Sequence, residues 1–152
     1  MAAETSAPRH RLQSTELATE IEFLMARARA LGTTHANEQL AALKLKARSY
    51  AVLALACSQS RPSQRELAEF LSLDASQIVA LVDDLERRGF VVREPDANDR
   101  RSNVIVGTAE GVALCERAVK AVTAAEDKSL KALNAAERDQ LRDLLARVAF
   151  EG

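Results

Sequence analysis

The sequence predicts a mainly α-helical chain that carries one short β-hairpin. Alanine, leucine, glutamate and arginine are abundant, whereas only 5 glycines and 3 prolines occur in 152 residues; that composition favours helices. Serine, aspartate, threonine and asparagine precede several apolar repeats of helical spacing, in the position of helix N-caps. Two largely β-branched runs, FVV at 90–92 and VIV at 104–106, flank a polar loop and indicate antiparallel strands.

The first helix is predicted after a polar N-terminal segment. Residues 1–13 are polar, contain Pro8 and are expected to form a flexible tail. From Ser14 onward, apolar side chains recur at helical spacing and form one stripe. The stripe consists of Leu17, Ile21, Leu24, Ala28 and Leu31. Gly32 and the TTHAN segment that follows it are expected to end this helix.

A second helix is predicted from about Ala41 to Ser58, because the Arg61–Pro62 pair soon after would break it. It contains the longest apolar run of the chain, AVLALAC at 51–57. That run is far too short to cross a membrane, which needs about 20 residues. The N-terminus lacks the apolar stretch of a secretory signal. We therefore expect a cytoplasmic protein that does not associate with membranes.

A helix–turn–helix is predicted next. In SQRE, Ser63 can cap a helix while Glu66, three residues on, returns a bond to the cap, the pattern called a capping box. A short helix at about 64–71 follows, and then a turn leads to Asp74, a second N-cap. The second helix is expected to stop before Gly89, since glycine is the usual residue just beyond a helix C-terminus.

The hairpin and two further helices complete the chain. The strands are predicted in FVVRE (90–94) and SNVIVG (102–107). Thr108 is expected to cap a long helix to about residue 132. Asn134 and Glu137 form another capping box, and the last helix is expected to run to about Phe150.

The second helix of the helix–turn–helix has two different faces. Its apolar residues, spaced for burial on one side, are Ile78, Leu81, Val82 and Leu85. The other side begins with small and polar residues, namely Ala75, Ser76, Gln77 and Ala80. Such residues fit a DNA major groove, where glutamine can pair with adenine and alanine can meet a thymine methyl. We therefore expect this helix to enter the groove by its N-terminal end, although the same pattern also occurs in ordinary core helices.

A helix–turn–helix followed directly by a two-stranded hairpin is the winged-helix arrangement. The tip of this wing, PDANDRRSN at 95–103, carries Arg100 and Arg101. A narrow minor groove concentrates negative potential and attracts an inserted arginine. Asp99 is expected to bond to the Arg101 guanidinium and to hold it in place. Without this context the two arginines would be interpreted as a solvated charged loop.

The expected DNA-binding residues lie in three segments of a chain whose net charge is only −1. They are Ser63, Gln64, Arg65, Ala75, Ser76, Gln77, Ala80, Arg87, Asp99, Arg100 and Arg101. Positive charge is concentrated near them, because residues 87–101 hold five arginines against three acids (Glu94, Asp96 and Asp99), and residues 41–65 hold five basic residues and no acid. The DNA surface is therefore predicted to be a local patch.

The segment from 63 to 103 resembles the core of MarR-type transcriptional regulators. The most specific stretches are LVDDLERRGFV at 81–91 and PDANDRRS at 95–102. The resemblance implies a winged helix–turn–helix with N- and C-terminal dimerisation helices, an obligate homodimer, a pseudo-palindromic operator and usually repression. It also implies that Asp99 and Arg101 are the wing pair and that Arg100 is more variable. Gly107 departs from the family pattern, which usually has leucine there, and this departure puts the local packing in doubt.

Four regions follow from these elements. They are a flexible tail (1–13), N-terminal helices for dimerisation and a ligand crevice (14–62), the DNA-binding region (63–107) and C-terminal dimerisation helices (108–152). The terminal helices each carry an apolar stripe, and a small DNA-binding unit cannot bury both. A second copy of the chain is the simplest way to cover them.

A basic cluster lies between the first two long helices. The resemblance implies a small, commonly aromatic or acidic effector in a crevice between the dimerisation helices and the DNA-binding region. The cluster that could hold its anionic part is His35, Lys44, Lys46, Arg48 and Tyr50, with Met25, Leu43 and Leu53 as an apolar wall. The alternative interpretation is a solvated basic face, or contacts with DNA phosphates.

Catalysis, metal binding and a cofactor are not expected. The chain has only two histidines and two cysteines, with no phosphate-binding loop, no metal-ligand spacing and no nucleophile motif. Cys115 shares an apolar stripe, and Cys57 ends an apolar run, so both are interpreted as small hydrophobic residues. Three alternatives stay open: a ligand-independent regulator, a redox-sensing regulator, and an interaction module whose winged helix no longer reads DNA.

Overall fold

The computed structural model describes residues 8–152, with side chains from residue 11 onward. The helices are α1 (Pro8–Gln13), α2 (Ile21–Leu40), α3 (Ala47–Ala56), α4 (Gln64–Leu71), α5 (Ala75–Arg87), α6 (Ala109–Ser129) and α7 (Ala135–Phe150). The strands are β1 (Val91–Pro95) and β2 (Asn103–Gly107), and short 3-10 turns occupy Glu16–Thr19 and Ala41–Leu43. This architecture confirms the predicted fold class.

The N-terminal region differs from the sequence prediction. A short helix begins at Pro8, so residues 8–13 are helical where we expected a tail, and residues 1–7 lie outside the described part. The helix expected from Ser14 begins only at Ile21, because Glu20 has an extended backbone.

The prediction that Gly32 and the TTHAN segment end the first long helix was wrong, since α2 continues to Leu40. The cause is tertiary packing against α6. The His35 Nδ1 and Ser129 Oγ atoms lie 2.8 Å apart, and Lys128 Nζ lies 2.7 Å from a Glu38 carboxylate oxygen. A glycine inside a helix costs only about 1 kcal/mol, which such contacts offset.

The predicted helix from Ala41 to Ser58 is shorter than expected. A 3-10 turn at Ala41–Leu43 leads to Lys44, which has a left-handed backbone with φ of 54°. α3 then begins at Ala47, whose N–H donates to the Asn37 side-chain oxygen at 2.8 Å. The chain therefore changes direction between α2 and α3.

The local signals of the helix–turn–helix are confirmed. Glu66 N–H donates to Ser63 Oγ at 3.2 Å, and Ser63 N–H donates to a Glu66 carboxylate oxygen at 2.7 Å. Gly89 follows α5 with φ of +80°, which glycine adopts at little cost. Capping boxes at such positions define where each helix starts.

The two strands pair in antiparallel register, with Val91 opposite Gly107 and Arg93 opposite Ile105. β2 is also joined to the loop before α4. Ile105 N–H donates to the Pro62 carbonyl at 2.8 Å, and Ser63 forms an isolated bridge with Val104. The wing is thus attached to the helix–turn–helix by backbone hydrogen bonds.

An aliphatic core holds these elements together. Its largest fully buried side chains are Leu40, Val52, Leu53, Leu67, Ile78, Val82, Leu85, Val91 and Ile105. They come from α2, α3, α4, α5 and both strands, so one core supports the helix–turn–helix and the wing. Within residues 8–152, no helix is both long and apolar enough to cross a membrane.

Two glycines allow the junction between β2 and α6 to pack closely. A Cβ atom at Gly111 would lie 1.9 Å from the Phe90 carbonyl oxygen. A Cβ atom at Gly107 would lie 2.4 Å from Cys57 Sγ. The departure from the family pattern at position 107 is therefore matched by Cys57, whose side chain fills the space beside the glycine.

Candidate DNA-binding surface

The first turns of α5 have one exposed face that DNA can contact. Ala75, Ser76 and Ala80 are exposed, whereas the apolar stripe on the opposite side is buried except for Leu81, which is partly buried. Val79 is also exposed, at 39%, and the sequence analysis did not select it. Its position one turn after Ala75 could have identified it, because residues four apart share a helix face. An exposed valine there offers a methyl surface of the kind that contacts thymine.

Gln77 has a local role that the sequence did not indicate. Its side-chain oxygen accepts a hydrogen bond from the Asp74 backbone N–H at 3.2 Å. The bond stabilises the start of α5, as in a capping box. The amide NH2 group of Gln77 is not consumed by this bond and keeps its two donors for a base edge.

The acidic side chains further along α5 are neutralised by arginines. Asp84 forms ion pairs with Arg87 and Arg88. Arg88 also donates to the Lys44 carbonyl at 3.0 Å, and its guanidinium lies 5.1 Å from the centre of the Phe90 ring. Arg88 therefore stabilises the C-terminal end of α5 through these contacts. Arg87 is exposed, and because a surface ion pair contributes little to stability, it can bind a DNA phosphate in place of Asp84.

The wing tip is ordered by its own acidic side chains. Asp99 Oδ1 accepts from the backbone N–H of Arg101 at 3.0 Å, and Asp96 Oδ1 accepts from Asn98 N–H at 2.9 Å. The predicted bond between Asp99 and the Arg101 guanidinium is therefore wrong, because Asp99 reaches only two residues ahead and caps the backbone in an Asx turn.

This arrangement leaves two cations at the tip. Arg100 and Arg101 are exposed, and no hydrogen bond or ion pair joins either guanidinium to another residue between 8 and 152. The tip is thus held in shape by backbone contacts while both guanidinium groups remain available to an anion.

The three predicted residues at the start of α4 have different surroundings. Ser63 is used in the capping box, and Gln64 accepts hydrogen bonds from Arg93. Arg65 is exposed and pairs with Glu69 at 2.8 Å. Among these, Arg65 has the side chain best able to reach a phosphate, since an exposed pair four residues apart contributes little to stability.

A cavity of about 810 Å³ lies beside the helix–turn–helix, between α2, α3 and the turn after α4. Its lining is Glu22, Met25, Ala26, Arg29, Ala30, Thr33, Ala47, Arg48, Ala51, Leu71 and Leu73. The cavity is mostly apolar, but Arg29 and Arg48 add two guanidinium groups and Glu22 adds one carboxylate. Neither arginine has an ion-pair partner in the described part of the chain. The cavity thus suits an apolar molecule with an anionic group.

Of the eight residues predicted for the ligand, only Met25 and Arg48 line this cavity. Leu53, predicted as part of the apolar wall, is fully buried in the core and does not line this cavity. His35 faces Ser129 of α6, and Leu43 and Tyr50 pack against the core. Lys44 and Lys46 are exposed but do not line the cavity. The turn at Lys44 separates these side chains, which sequence proximity had grouped.

Arg29 and the residues that share its helix face were not predicted from the sequence. The cavity side of α2 follows helical spacing from Glu22 through Met25, Ala26 and Arg29 to Thr33. A search for a second, mixed polar and apolar stripe on α2 would have found this set. Leu71 and Leu73 could not be found in that way, because their exposure depends on how α4 packs.

The two cysteines are far apart in sequence but close enough in the fold for each thiol to affect the pKa of the other. Burial, reinforced by Cys115, raises the pKa of Cys57 to about 11. Burial also raises the pKa of Cys115. Because the thiolate is the reactive form, redox-sensing cysteines have lowered pKa values, and this pair has the opposite shift. Within residues 8–152, no cluster of three or more histidine, cysteine or acidic residues could hold a metal.

Comparisons with known proteins agree with this architecture. The MarR family model matches residues 45–103. A MarR family transcriptional regulator from Rhodococcus sp. RHA1 is 39% identical, with a TM-score of 0.85 over 91% of this chain and 99% of that one. CouR from Rhodococcus jostii RHA1, solved with p-coumaroyl-CoA, is 40% identical, with a TM-score of 0.81 over 91% and 98%.

A repressor also named CouR, solved on a 23-mer DNA duplex, is 31% identical, with a TM-score of 0.79 over 88% of this chain and 95% of that one. The first two curated relatives are described as transcriptional regulatory proteins, and the chain spans 60% and 65% of their lengths. Since similarity at 39–40% identity extends over nearly the whole of two solved relatives, this chain belongs to the MarR family of transcriptional regulators.

Proposed function

We propose that this protein is a homodimeric, sequence-specific DNA-binding repressor of the cytoplasm that a small anionic effector releases from DNA. The observation that carries the proposal is the winged helix itself. It combines an exposed small and polar face at the start of α5 with two guanidinium groups, at an ordered wing tip, that form no hydrogen bond or ion pair with the described residues. The first can contact major-groove base edges and the second the adjacent minor groove.

Dimerisation is supported by the distribution of exposed apolar side chains. Many lie on the terminal helices or the turn before α2, namely Leu17, Ile21, Leu24, Leu31, Val112, Val119, Leu144, Leu145, Val148 and Phe150. Apolar surface concentrated in this way is expected where another protein covers it. A second copy would place two α5 helices about 34–36 Å apart, in successive major grooves of a pseudo-palindromic operator.

The effector is proposed to bind in the 810 Å³ cavity. Such a volume is within the usual range for ligand sites, about 300–1,000 Å³. The arginines can hold the anionic part, and the apolar lining can hold an aromatic or acyl part. Because CouR was solved with p-coumaroyl-CoA, an aromatic acyl-CoA thioester is the first compound class to test here.

The position of the cavity suggests how a bound effector would release DNA, because its lining comes from both a dimerisation helix and the helix–turn–helix. Arg29 belongs to α2, whereas Leu71 and Leu73 belong to the helix–turn–helix. A ligand that contacts both would favour one arrangement of the DNA-binding unit relative to the dimerisation helices. It would release DNA only if it binds the DNA-incompetent arrangement more tightly.

The test is a competition between effector and DNA. We expect p-coumaroyl-CoA to displace a selected operator duplex in fluorescence anisotropy, with p-coumarate and coenzyme A as separate comparisons. Arg48→Ala should weaken the effect of the ligand by about tenfold or more, corresponding to loss of a charge-assisted contact of roughly 1.5–3 kcal/mol. DNA affinity without ligand should stay close to that of the wild type.

Lys46→Ala is the matched control, because Lys46 is an exposed cation two residues away that does not line the cavity. Equal effects of the two substitutions would contradict the cavity as the effector site. Displacement by none of the three compounds would count against an aromatic acyl-CoA effector.

A further inference from the structure

Arg93 on β1 makes contacts that its position in the wing does not require. It lies opposite Ile105 in the hairpin, and its side chain is only 24% exposed. Its guanidinium contacts Gln64 of α4 and both Asp83 and Glu86 of α5. One side chain therefore connects the wing to both helices of the helix–turn–helix.

The geometry uses every nitrogen of the guanidinium. Nη2 lies 2.5 Å from Asp83 Oδ1 and 2.9 Å from the Gln64 side-chain oxygen, which also accepts from Nε at 3.2 Å. Nη1 pairs with the Glu86 carboxylate. The backbone N–H of Arg93 donates to the same carboxylate at 3.2 Å. A planar fork held by three partners on two helices has little rotational freedom.

These contacts separate Arg93 from the arginines of the wing tip. Arg100 and Arg101 are exposed, and their guanidinium groups form no hydrogen bond or ion pair with another described residue. Four of the five guanidinium N–H donors of Arg93 are occupied by Gln64, Asp83 and Glu86, so it could bind a phosphate with more than one donor only by losing these contacts. It also neutralises Asp83 and Glu86, which would otherwise leave negative charge on the helix proposed to approach DNA.

We propose that Arg93 is a positioning residue for DNA recognition, which fixes the angle between the wing and α5. The inference rests on the proposed function, because the angle matters only if both elements touch DNA. With the angle fixed, Arg100 and Arg101 can meet the minor groove while the start of α5 occupies the major groove. If the angle varies, Arg100 and Arg101 reach the minor groove in only a fraction of the protein molecules, and they contribute less to DNA affinity.

The first test measures the angle without DNA. In a background in which the two native free cysteines are replaced (Cys57→Ala and Cys115→Ala), spin labels at Asn98→Cys on the wing tip and Ser76→Cys on α5 report the distance between the two elements by double electron–electron resonance. The labelled protein is diluted into an excess of unlabelled protein so that distances within one protomer dominate. We expect a narrow distribution with Arg93 and a broad one with Arg93→Met. Identical distributions would overturn the proposal, whether or not the protein binds DNA.

The second test asks whether Arg93 acts through Arg101. In the wild-type background, Arg101→Ala is expected to weaken DNA binding about 5- to 150-fold. In the Arg93→Met background the same change should cost less than about threefold, because the wing is no longer held against DNA. If Arg93→Met acted only through a general loss of stability, it would weaken DNA binding equally with Arg101 and with alanine at position 101. Arg101→Ala would then weaken DNA binding by the same factor in both backgrounds, and that result would overturn the proposal.

Two further variants complete the design. Arg93→Lys keeps the charge but loses the fork, so it should resemble Arg93→Met rather than the wild type. Arg142→Met removes an arginine that pairs with Asp139 and Glu126 near α7, and it should not alter the wing distance. If Arg101→Ala has no effect in the wild type, the proposed minor-groove contact fails, and the spin-label distances still decide the role of Arg93.

Discussion

Gly111→Ala is expected to lower the free energy of unfolding by about 3 kcal/mol or more, at the upper end of what overpacking costs. The added Cβ would lie 1.9 Å from the Phe90 carbonyl oxygen and 2.9 Å from its carbon. These are backbone atoms, so no side-chain rotation can relieve the contact. Either β1 or the first turn of α6 has to move.

Movement there would break a compact set of hydrogen bonds. The Phe90 carbonyl accepts from Thr108 N–H at 3.0 Å, and Thr108 Oγ1 accepts from Gly111 N–H at 3.0 Å while donating to the Gly89 carbonyl at 2.7 Å. The junction connects the wing to the helix that packs along α2. We therefore expect the destabilisation to reach the DNA-binding unit as well.

The measurement is urea unfolding followed by circular dichroism at one protein concentration, since the stability of a dimer depends on concentration. Gly32→Ala is the matched control. Gly32 lies inside α2, and among the described residues no atom beyond its chain neighbours and the backbone of its own helix lies within 4 Å of the position that an added Cβ would occupy, so alanine there should stabilise by about 0.5–1 kcal/mol. Equal stabilities of the two variants would contradict the close packing at Gly111.

Arg101→Ala is expected to weaken specific DNA binding by about 1–3 kcal/mol, or about 5- to 150-fold. The guanidinium is exposed and unpartnered among the described residues, and its backbone is held by Asp99. The free protein thus loses no internal ion pair when Arg101 enters a groove. The folded state should be unaffected, because the substitution removes no buried contact.

The measurement is fluorescence anisotropy over a range of salt concentrations. Loss of a cation from the DNA contact should also make the dependence on salt less steep. Lys131→Ala, which removes an exposed cation between α6 and α7, serves as the control and should leave affinity and slope unchanged. If both variants bind like the wild type, the wing tip does not contact DNA.

The sequence predicted those parts of the fold that depend on neighbouring residues. Ser63 with Glu66, and Gly89 with its positive φ, define the ends of helices through contacts within a few residues. The strands followed from two β-branched runs on either side of a polar loop. These signals are local, so the helix–turn–helix and the wing could be recognised without tertiary information.

The failures occurred where tertiary contacts outweigh local preference. Gly32 does not end α2, because α2 packs along α6 beyond that point. Gly107 could not be explained from the sequence either, because the atom that requires it belongs to Cys57, fifty positions earlier. Neither contact leaves a pattern that periodicity can detect.

The candidate sites also divide into residues that local sequence predicts and residues that only the tertiary structure brings together. The residues of α5 and the wing were predicted as a group because the motif is contiguous. The cavity draws its lining from α2, α3 and the turn after α4, so neighbours in sequence such as Lys46 and Arg48 differ in whether they face it. Arg93 was visible only as one of five arginines, and its partners on two other elements required the fold.

The most direct test of the central claim is selection of binding sites from a random pool of duplex DNA by the purified protein, followed by footprinting of the enriched sequence. A dimeric winged-helix repressor should enrich a pseudo-palindromic consensus with half-sites one helical turn apart, about 10–10.5 base pairs from centre to centre. Major-groove protection should lie in each half-site, with minor-groove protection beside it that disappears in Arg101→Ala. A folded protein that enriches no sequence at low salt, where phosphate contacts are strongest, would contradict the account and favour an interaction module that does not read DNA.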